Sequence, residues 1–157
     1  MKGLKNKDLD YFGKKILKKN FLGVFSSDLY PLRRRKKFFL IFNLSKHYQR
    51  GSHFIAIAKV GESVIYFDPL GKKCSNIGIL KYLLKLKSKM KYNKTKIQSD
   101  ESIFCGFFCL AFLIYICNKN SLSSFIKMFS LTNLPDNDKI AVDYILSQIN
   151  ESKTFYF

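Results

Sequence analysis

A cysteine at the start of an apolar run is the residue of this sequence best suited to nucleophilic chemistry. Cys105 follows Asp100, Glu101 and Ser102 in the segment QSDESIFCGFFCLA, and these polar residues favour the beginning of a helix. The unpaired N–H groups and positive dipole end of a first helical turn favour a thiolate, the nucleophilic form of cysteine. We expect Gly106 to keep bulk away from the sulfur so that a substrate carbonyl can approach it. The alternative is that Cys105 is one more apolar residue of a buried helix.

A histidine and an aspartate flank a predicted hairpin. The runs HFIAIA and SVIYFD alternate around a turn that contains Gly61, and a turn centred between Val60 and Gly61 places His53 opposite Asp68. A carboxylate on one ring nitrogen leaves the other nitrogen free to accept a proton and stabilises the imidazolium that forms. This is how a general base is built. The alternative is an ordinary strand histidine and a polar residue that precedes Pro69.

A glutamine and three further cysteines complete the set of residues considered for a functional role. Gln98 lies seven residues before Cys105. Its amide can donate a hydrogen bond to an oxyanion alongside the backbone N–H of Cys105, each donor lowering the barrier by roughly 3 kcal/mol. The alternative is a surface glutamine. We interpret Cys109 and Cys117 as core residues and Cys74 as an exposed loop thiol.

The cysteine spacing contains no zinc-finger or zinc-ribbon pairs. A metal site built on Cys105 and Cys109 is disfavoured because no second nearby pair of ligands is visible. We therefore expect no metal and no cofactor, and free thiols in a reducing compartment.

The elements that must position these residues follow from the spacing of apolar residues. A helix is predicted over Asp8–Lys19, followed by an irregular loop in NFLGVFSSDLYP. The runs FFLIFNL, HFIAIA, SVIYFD and KTKIQS are predicted strands, with a helix from about Asn76 to Lys89 between the last two. A helix from Cys105 to Asn118 and two short helices follow, the last from Asp136 to about Ile149. Strands clustered between helices indicate an α+β fold with a small central sheet, mixed or antiparallel.

Length and charge limit the class of protein. A chain of 157 residues suits one domain, here 1–157. The net charge of +17 favours a polyanionic partner, although compositional drift in an AT-rich genome is an equally good explanation. No membrane partner is expected, because the apolar run Ile103–Cys117 is too short to span a bilayer.

Two lysine- and arginine-rich runs could contact nucleic acid through phosphates, without reading sequence. The alternative is that they form solvated faces. The candidate contact residues are Arg33, Arg34, Arg35, Lys85, Lys87 and Lys89.

The order His, Asp, Gln, Cys, in the contexts GSHFIAI, YFDPLG, IQS and FCGFFC, resembles the adenovirus endopeptidase (adenain) family. That family belongs to the clan that also holds the ubiquitin-like-protein-specific proteases. The early FLGVFSSDLYP is also similar to the family's N-terminal segment, so the resemblance covers about residues 20–118. Phe54 stands where the family often has Trp. No cysteine clearly matches the one that attaches an activating peptide in adenoviral enzymes.

The resemblance implies a papain-like fold of the adenain type and a cysteine endopeptidase. Cys105 would be the nucleophile and His53 the base, with Asp68 orienting the ring and Gln98 in the oxyanion hole. The substrates would be viral or virus-like precursor proteins cleaved at glycine-containing sites. DNA would be a non-specific partner and a possible activator of a monomeric enzyme.

The location would be the virion and host nucleus if the chain is viral, and otherwise a reducing intracellular compartment. Three alternatives stay open: a deubiquitinase- or deSUMOylase-like peptidase, a non-catalytic basic nucleic-acid-binding protein, and a family member that has lost activity.

Overall fold

A five-stranded sheet forms the centre of the protein. The computed structural model describes residues 2–31, 35–45 and 53–154, with only the backbone for 151–154. In these residues the strand order is β1-β2-β3-β4-β5, with the outer pairs parallel and the inner pairs antiparallel. The strands are β1 (Phe21–Ser26), β2 (Lys37–Asn43), β3 (Phe54–Val60), β4 (Ser63–Phe67) and β5 (Lys89–Tyr92). The predicted α+β fold with a small mixed sheet is confirmed.

Helices cover both faces of the sheet. The helices of the described ranges are α1 (Asn6–Leu17), α2 (Ile77–Lys85), α3 (Cys105–Cys117), α4 (Leu122–Ile126) and α5 (Asn137–Thr154). Residues of α1, α3, α4 and α5 share one apolar cluster with the sheet, and α2 packs on the opposite face. None of these helices combines the length and apolar character needed to cross a membrane.

Helix α3 is the centre of the larger cluster. Its 13 residues carry no charged side chain, and ten of them are buried. A helix that is apolar all round needs cover on every side. Strand β3 and helices α1 and α5 provide that cover, so the beginning of α3 is held between several elements.

The predicted loop in NFLGVFSSDLYP is wrong in its first half, which forms β1. Strand β1 pairs in parallel with β2, and the register shifts between Phe21 and Gly23. Gly23 has φ 136°, a conformation that glycine adopts without strain. The glycine therefore accommodates an irregularity within the strand, and the turn-forming residues take effect only after Ser26.

The predictions for the end of α2 and for the last strand are also wrong. Helix α2 ends at Lys85 rather than Lys89, and Lys87 adopts a left-handed φ of 47° that stops the helix. The chain turns there into β5. KTKIQS is not a strand, because the backbone N–H groups of Ile97 and Gln98 both donate to the carbonyl of Pro69 instead of to a ladder.

The hairpin of β3 and β4 exists, but its register differs from the prediction. Val60 pairs with Ser63, and Ile57 faces Tyr66 rather than Val64. The turn residues are thus Gly61 and Glu62, one position later than expected. A two-residue shift along the partner strand keeps every side chain on its predicted face, whereas a one-residue slip would reverse it.

Candidate active site

Cys105 is the first residue of α3, where the sequence predicted it. The approach to the helix is fixed by Ser102, whose Oγ accepts from the N–H of Phe104 at 3.1 Å. The same hydroxyl donates to Asp138 Oδ1 at 2.7 Å, which ties the segment to α5. The nucleophile candidate therefore sits on a helix start that is anchored to a second helix.

Gly106 serves packing rather than substrate access. A Cβ at Gly106 would lie 3.0 Å from Leu9 Cδ1 and 3.5 Å from Leu4 Cβ. Glycine at this position lets α1 approach the beginning of α3 closely. The expectation that Gly106 opens space for a substrate carbonyl is wrong, because its vacant side faces α1.

His53 and Asp68 are in direct contact. Nε2 of His53 lies 2.8 Å from Oδ1 of Asp68. The two residues lie immediately before β3 and immediately after β4, so the hairpin brings them together outside the paired ladder. The His53 side chain is 15% exposed and the Asp68 side chain 4%, so solvent screens this pair weakly. Because Asp68 occupies Nε2, Nδ1 is the ring nitrogen left to exchange a proton.

The surroundings of His53 favour the imidazolium. Burial, the largest single cause, lowers the pKa of the ring, but hydrogen bonds to Asp68 and Cys105 act in the opposite direction. Together with the charges of these two groups they raise the pKa from 6.5 to about 9. The histidine is thereby coupled to the thiol on one side and to the carboxyl group on the other.

Asn93 holds Asp68 in place and was missed by the sequence analysis. This buried residue follows β5 directly; its Oδ1 accepts from the N–H of Asp68 at 2.9 Å and its Nδ2 donates to the carbonyl of Asp68 at 2.7 Å. The Asp68 carboxyl oxygen Oδ1 also accepts from the N–H of Leu70. No sequence signal distinguished Asn93, which stands in KYNKT like an ordinary loop residue.

Gln98 is buried, 2% exposed, and not the surface residue that was the alternative. Its Nε2 donates to the carbonyl of Ser102 at 2.8 Å. That bond fixes which way the amide points, because the reverse orientation would set two oxygens against each other. An amide nitrogen carries two N–H groups, so one remains to donate elsewhere. In the described part of the chain, Oε1 of Gln98 has no hydrogen-bond partner.

Three of the four predicted residues line one pocket. His53, Gln98 and Cys105 share a cavity of about 410 Å³, and Asp68 contacts His53 beside it. A sulfur and a primary amide from the stretch 98–105 converge there with an imidazole from a distant part of the chain. This set of groups suits attack on a carbonyl carbon.

The other cysteines differ from Cys105 in their surroundings. Cys74 is half-buried in contact with a pocket that Tyr66 and Tyr92 line, so its prediction as an exposed thiol is wrong. Burial raises the pKa of Cys74, and complete burial raises the pKa of Cys109 well above the usual range. Cys109 donates to the carbonyl of Phe54 and is a core residue as predicted. All four thiols are free.

The candidate nucleic-acid contacts are distributed over two places. Arg33 and Arg34 lie outside the described residues, and Arg35 Nη1 donates to the carbonyl of Lys19 at 2.9 Å. Lys85, Lys87 and Lys89 are exposed between the end of α2 and the start of β5. Contact with nucleic acid stays a prediction.

Similarity of this chain to known proteins is found in the structure and not in the sequence. No protein-family model matches this chain, and no curated protein is similar to it by sequence. The crystal structure of the ASFV pS273R protease aligns over 92% of this chain and 67% of its own, with 16% identity and a TM-score of 0.65. The SUMO protease Ulp1, with its catalytic cysteine oxidised to a sulfonic acid, aligns over 97% of this chain and 79% of its own, with 15% identity and a TM-score of 0.60.

The chain has the fold of the Ulp1-type, papain-like cysteine proteases. At this level of identity the likeness establishes the fold alone. The narrower resemblance to adenain, and the catalytic roles of the four residues, stay predictions. In this Ulp1-type fold, the pocket at the start of α3 is where the candidate residues meet.

We predict that Asn93→Ala destabilises the protein by about 1–3 kcal/mol, because the buried backbone N–H of Asp68 loses its partner, whereas the carbonyl of Asp68 still accepts from the N–H of Gly71. Urea unfolding measures the change. Asn120→Ala removes an exposed asparagine that donates to the carbonyl of Tyr115 and should stay within about 0.5 kcal/mol of the unmodified protein. Equal effects of the two substitutions would contradict the role given to Asn93.

We predict that Asp68→Asn lowers the pKa of His53 from about 9 towards 6.5, because the substitution removes the charge that stabilises the imidazolium. The C–H resonances of the ring report the titration by NMR, and His47→Gln assigns the second histidine. Asp143→Asn removes an exposed carboxylate paired with Lys139 and should leave the titration unchanged.

The same shift makes stability depend on pH. The pKa of His53 is higher in the folded protein than in the unfolded chain. The contribution of the protonated ring to the free energy of unfolding is therefore fully present below pH 6.5 and lost as the pH rises through about 9. The contribution is on the order of 3 kcal/mol. The stability advantage of the unmodified protein over Asp68→Asn should therefore shrink from pH 6.5 to 9. A constant difference would contradict the coupling of His53 to Asp68.

Proposed function

We propose that the protein is a cysteine endopeptidase that cleaves viral or virus-like precursor proteins at glycine-containing sites. The observation that carries the proposal is the convergence of His53, Gln98 and Cys105 on one pocket, with Asp68 bonded to His53. The Ulp1-type fold supports the reaction class. The resemblance of the motifs to adenain supports the substrate class.

The first half of the reaction uses the coupled thiol and imidazole. Nδ1 of His53 takes the proton of Cys105, and the thiolate attacks the scissile carbonyl carbon. The raised pKa of His53 stabilises the imidazolium that this transfer forms, and the imidazolium then donates the proton to the departing amine. Asp68 orients the ring through Nε2 and stabilises its positive charge.

The second half hydrolyses the thioester. The neutral imidazole takes a proton from water, the resulting hydroxide attacks the acyl carbon, and the thiol is regenerated. Each tetrahedral intermediate carries an oxyanion. The second side-chain N–H of Gln98 and the backbone N–H of Cys105 would donate hydrogen bonds to that oxyanion. The N–H of Cys105 is available because the first N–H groups of a helix have no acceptor within the helix.

A peptidase acting on ubiquitin-like conjugates is the second candidate, because the described chain aligns almost completely with the SUMO protease Ulp1. The catalytic residues would be the same, and only the substrate would differ. Fluorogenic ubiquitin and SUMO conjugates tested beside short Gly-Gly peptides separate the two.

We also propose that the enzyme associates with DNA without reading its sequence. The net charge of +17 supports this, together with the exposed lysines 85, 87 and 89. DNA would bring enzyme and substrate to the same polyanion, and could act as an activator. The enzyme would act as a monomer in the virion and host nucleus, or in another reducing intracellular compartment if it is not viral.

We predict that Cys105→Ala abolishes cleavage of candidate precursor proteins, because the thiolate is the nucleophile. Gln98→Ala should lower kcat by roughly 10²- to 10³-fold, as expected for loss of one oxyanion donor. Gln98→Ala should leave alkylation of Cys105 by iodoacetamide within about twofold, because alkylation forms no oxyanion. The measurements are cleavage rates and the rate of labelling at each cysteine by mass spectrometry.

Cys74→Ala is the matched control and should retain full activity, since the raised pKa of its thiol suits no nucleophilic role. In the unmodified protein, Cys105 should be alkylated well before Cys74 at neutral pH. Equal cleavage by Cys105→Ala and the unmodified protein would end the proposed function.

We predict that replacing Lys85, Lys87 and Lys89 together by Gln weakens DNA binding and makes it less sensitive to salt. Every phosphate that a lysine no longer neutralises lowers the slope of log K against log salt concentration by about 0.9. Fluorescence anisotropy with a labelled duplex of arbitrary sequence, titrated at salt concentrations from about 50 to about 200 mM, measures the slope.

A charge-matched variant separates local contacts from net charge. Its three substitutions replace exposed lysines of other elements by Gln, namely Lys7, Lys15 and Lys127. This variant should keep the slope of the unmodified protein. The same reduction in both variants would show that net charge, and not the three lysines beside β5, determines the binding.

A further inference from the structure

The segment that joins the oxyanion candidate to the nucleophile candidate is held at both ends by the start of α5. At one end, Nδ2 of Asn137 donates to the carbonyl of Ile97 at 2.8 Å, directly before Gln98. At the other end, Oδ1 of Asp138 accepts from the hydroxyl of Ser102 at 2.7 Å. Asn137 and Asp138 are the first two residues of α5, so one helix end provides both anchors.

The Asn137 anchor is buried and its side chain is fully bonded. The residue is 0% exposed. Its Nδ2 also donates to the carbonyl of Ser130 at 2.7 Å, and its Oδ1 accepts from the N–H of Ser130 at 2.8 Å. A buried amide costs free energy unless its polar atoms are bonded, and here the nitrogen and the oxygen both are. The carbonyl of Ile97 is therefore held at a fixed point on α5.

The direction of the Gln98 amide depends on Ser102. Nε2 of Gln98 donates to the carbonyl of Ser102 at 2.8 Å, whereas Oε1 has no partner among the residues that the structure describes. The backbone N–H of Gln98 donates to the carbonyl of Pro69, which places the main chain but does not orient the side chain. The position of the Ser102 carbonyl therefore determines where the second N–H of the amide points.

Ser102 is itself held through its side chain. Its hydroxyl donates to Asp138 and accepts from the N–H of Phe104 at 3.1 Å. Its own N–H donates to the carbonyl of Ser99 at 3.1 Å. The bonds to Ser99 and Phe104 lie within the same stretch of chain. Of these three bonds, the one to Asp138 ties Ser102 to another element of the fold.

We propose that Asp138 is a positioning residue for the oxyanion hole of the peptidase. It acts through Ser102 on Gln98 and touches no reacting atom. The inference rests on the proposed function, because only a reaction that forms an oxyanion needs the amide to be aimed. It also gives α5 a role in the site, although the motifs that resemble a protease end at about residue 118, before this helix begins.

The test is the rate at which Asp138→Ala cleaves whichever of the proposed substrates the unmodified protein cleaves. Loss of the anchor lets the Ser102 carbonyl move, and a misplacement of about 1 Å can lower a rate by roughly 10²-fold. We expect kcat to fall by roughly 10- to 100-fold. KM should change by less than about twofold, because the lost interaction is made in the transition state.

The conservative variant Asp138→Asn keeps an oxygen that can accept from the Ser102 hydroxyl. It should restore most of the activity that Asp138→Ala loses. Both variants remove the negative charge from the first turn of α5. A difference between them therefore reports on the hydrogen bond and not on the helix dipole.

Two further readouts separate positioning from a general effect on the fold. In a Gln98→Ala background, Asp138→Ala should lower kcat by less than about a further twofold, because the amide that it positions is already gone and the two losses are coupled. Alkylation of Cys105 by iodoacetamide should stay within about twofold in Asp138→Ala, because alkylation forms no oxyanion. A variant that is only less well folded would lose activity by the same factor in both backgrounds.

Ser102→Ala breaks the same link from the other side, and it provides the test if Asp138→Ala does not fold. It should lower kcat by a similar factor, and the double variant should be no worse than the more impaired single variant, because one bond is lost only once. Asp136→Ala is the matched control. This exposed carboxylate lies two positions earlier and accepts from Asn133 Nδ2, so its loss should leave kcat unchanged.

The possible negative results are distinguishable. An active unmodified protein whose kcat is retained in Asp138→Ala and in Ser102→Ala would overturn the positioning role alone. Equal losses of kcat in the unmodified and the Gln98→Ala backgrounds would also overturn it, because Asp138 would then only support the fold. An unmodified protein that cleaves none of the proposed substrates would overturn the proposed function and this inference with it.

Discussion

The burial of Asp68 is the constraint on which the arrangement of the site depends. A buried carboxyl group is costly unless its oxygens and its backbone find partners. Here Oδ1 is satisfied by His53 and Leu70, and the backbone by Asn93. These partners come from the start of β3, the loop after β4 and the end of β5. The ends of three strands are thus fixed by one residue, and the imidazole is oriented as a consequence.

The position of α3 adds the second requirement. An apolar helix of 13 residues must be covered on all sides, and its cover includes α1, α5 and the segment around Leu4. That cover leaves the first turn open to the pocket that His53 and Gln98 line, while Ile116 in the last turn lines a different pocket. The thiol of Cys105 therefore stands at the place where the core ends and solvent begins. Stability and the shape of the site are linked here, because the elements that bury α3 also shape the walls around Cys105.

The features that could be predicted from the sequence are those determined by residues close together in the chain. The beginning of α3 followed from polar residues before an apolar run, and contact of His53 with Asp68 followed from a hairpin whose side-chain alternation was correct even though its register was not. What was missed depends on distant partners. Strand β1 exists because β2 pairs with it, and Asn93 matters because Asp68 folds back on it. Neither a parallel neighbour nor a side chain that bonds to another segment's backbone leaves a periodic signal.

The position of the basic residues limits what DNA could do to catalysis. Lys89 pairs with Ser63 at the turn end of β4, while Asp68 and Asn93 follow the opposite ends of β4 and β5. Four residues at about 3.3 Å each separate Lys89 from Asn93, on the order of 13 Å. Phosphates bound at Lys85, Lys87 and Lys89 would therefore contact the turn end of the sheet and not Asp68 or Asn93. Any acceleration by these phosphates would then come from bringing enzyme and substrate onto one polyanion.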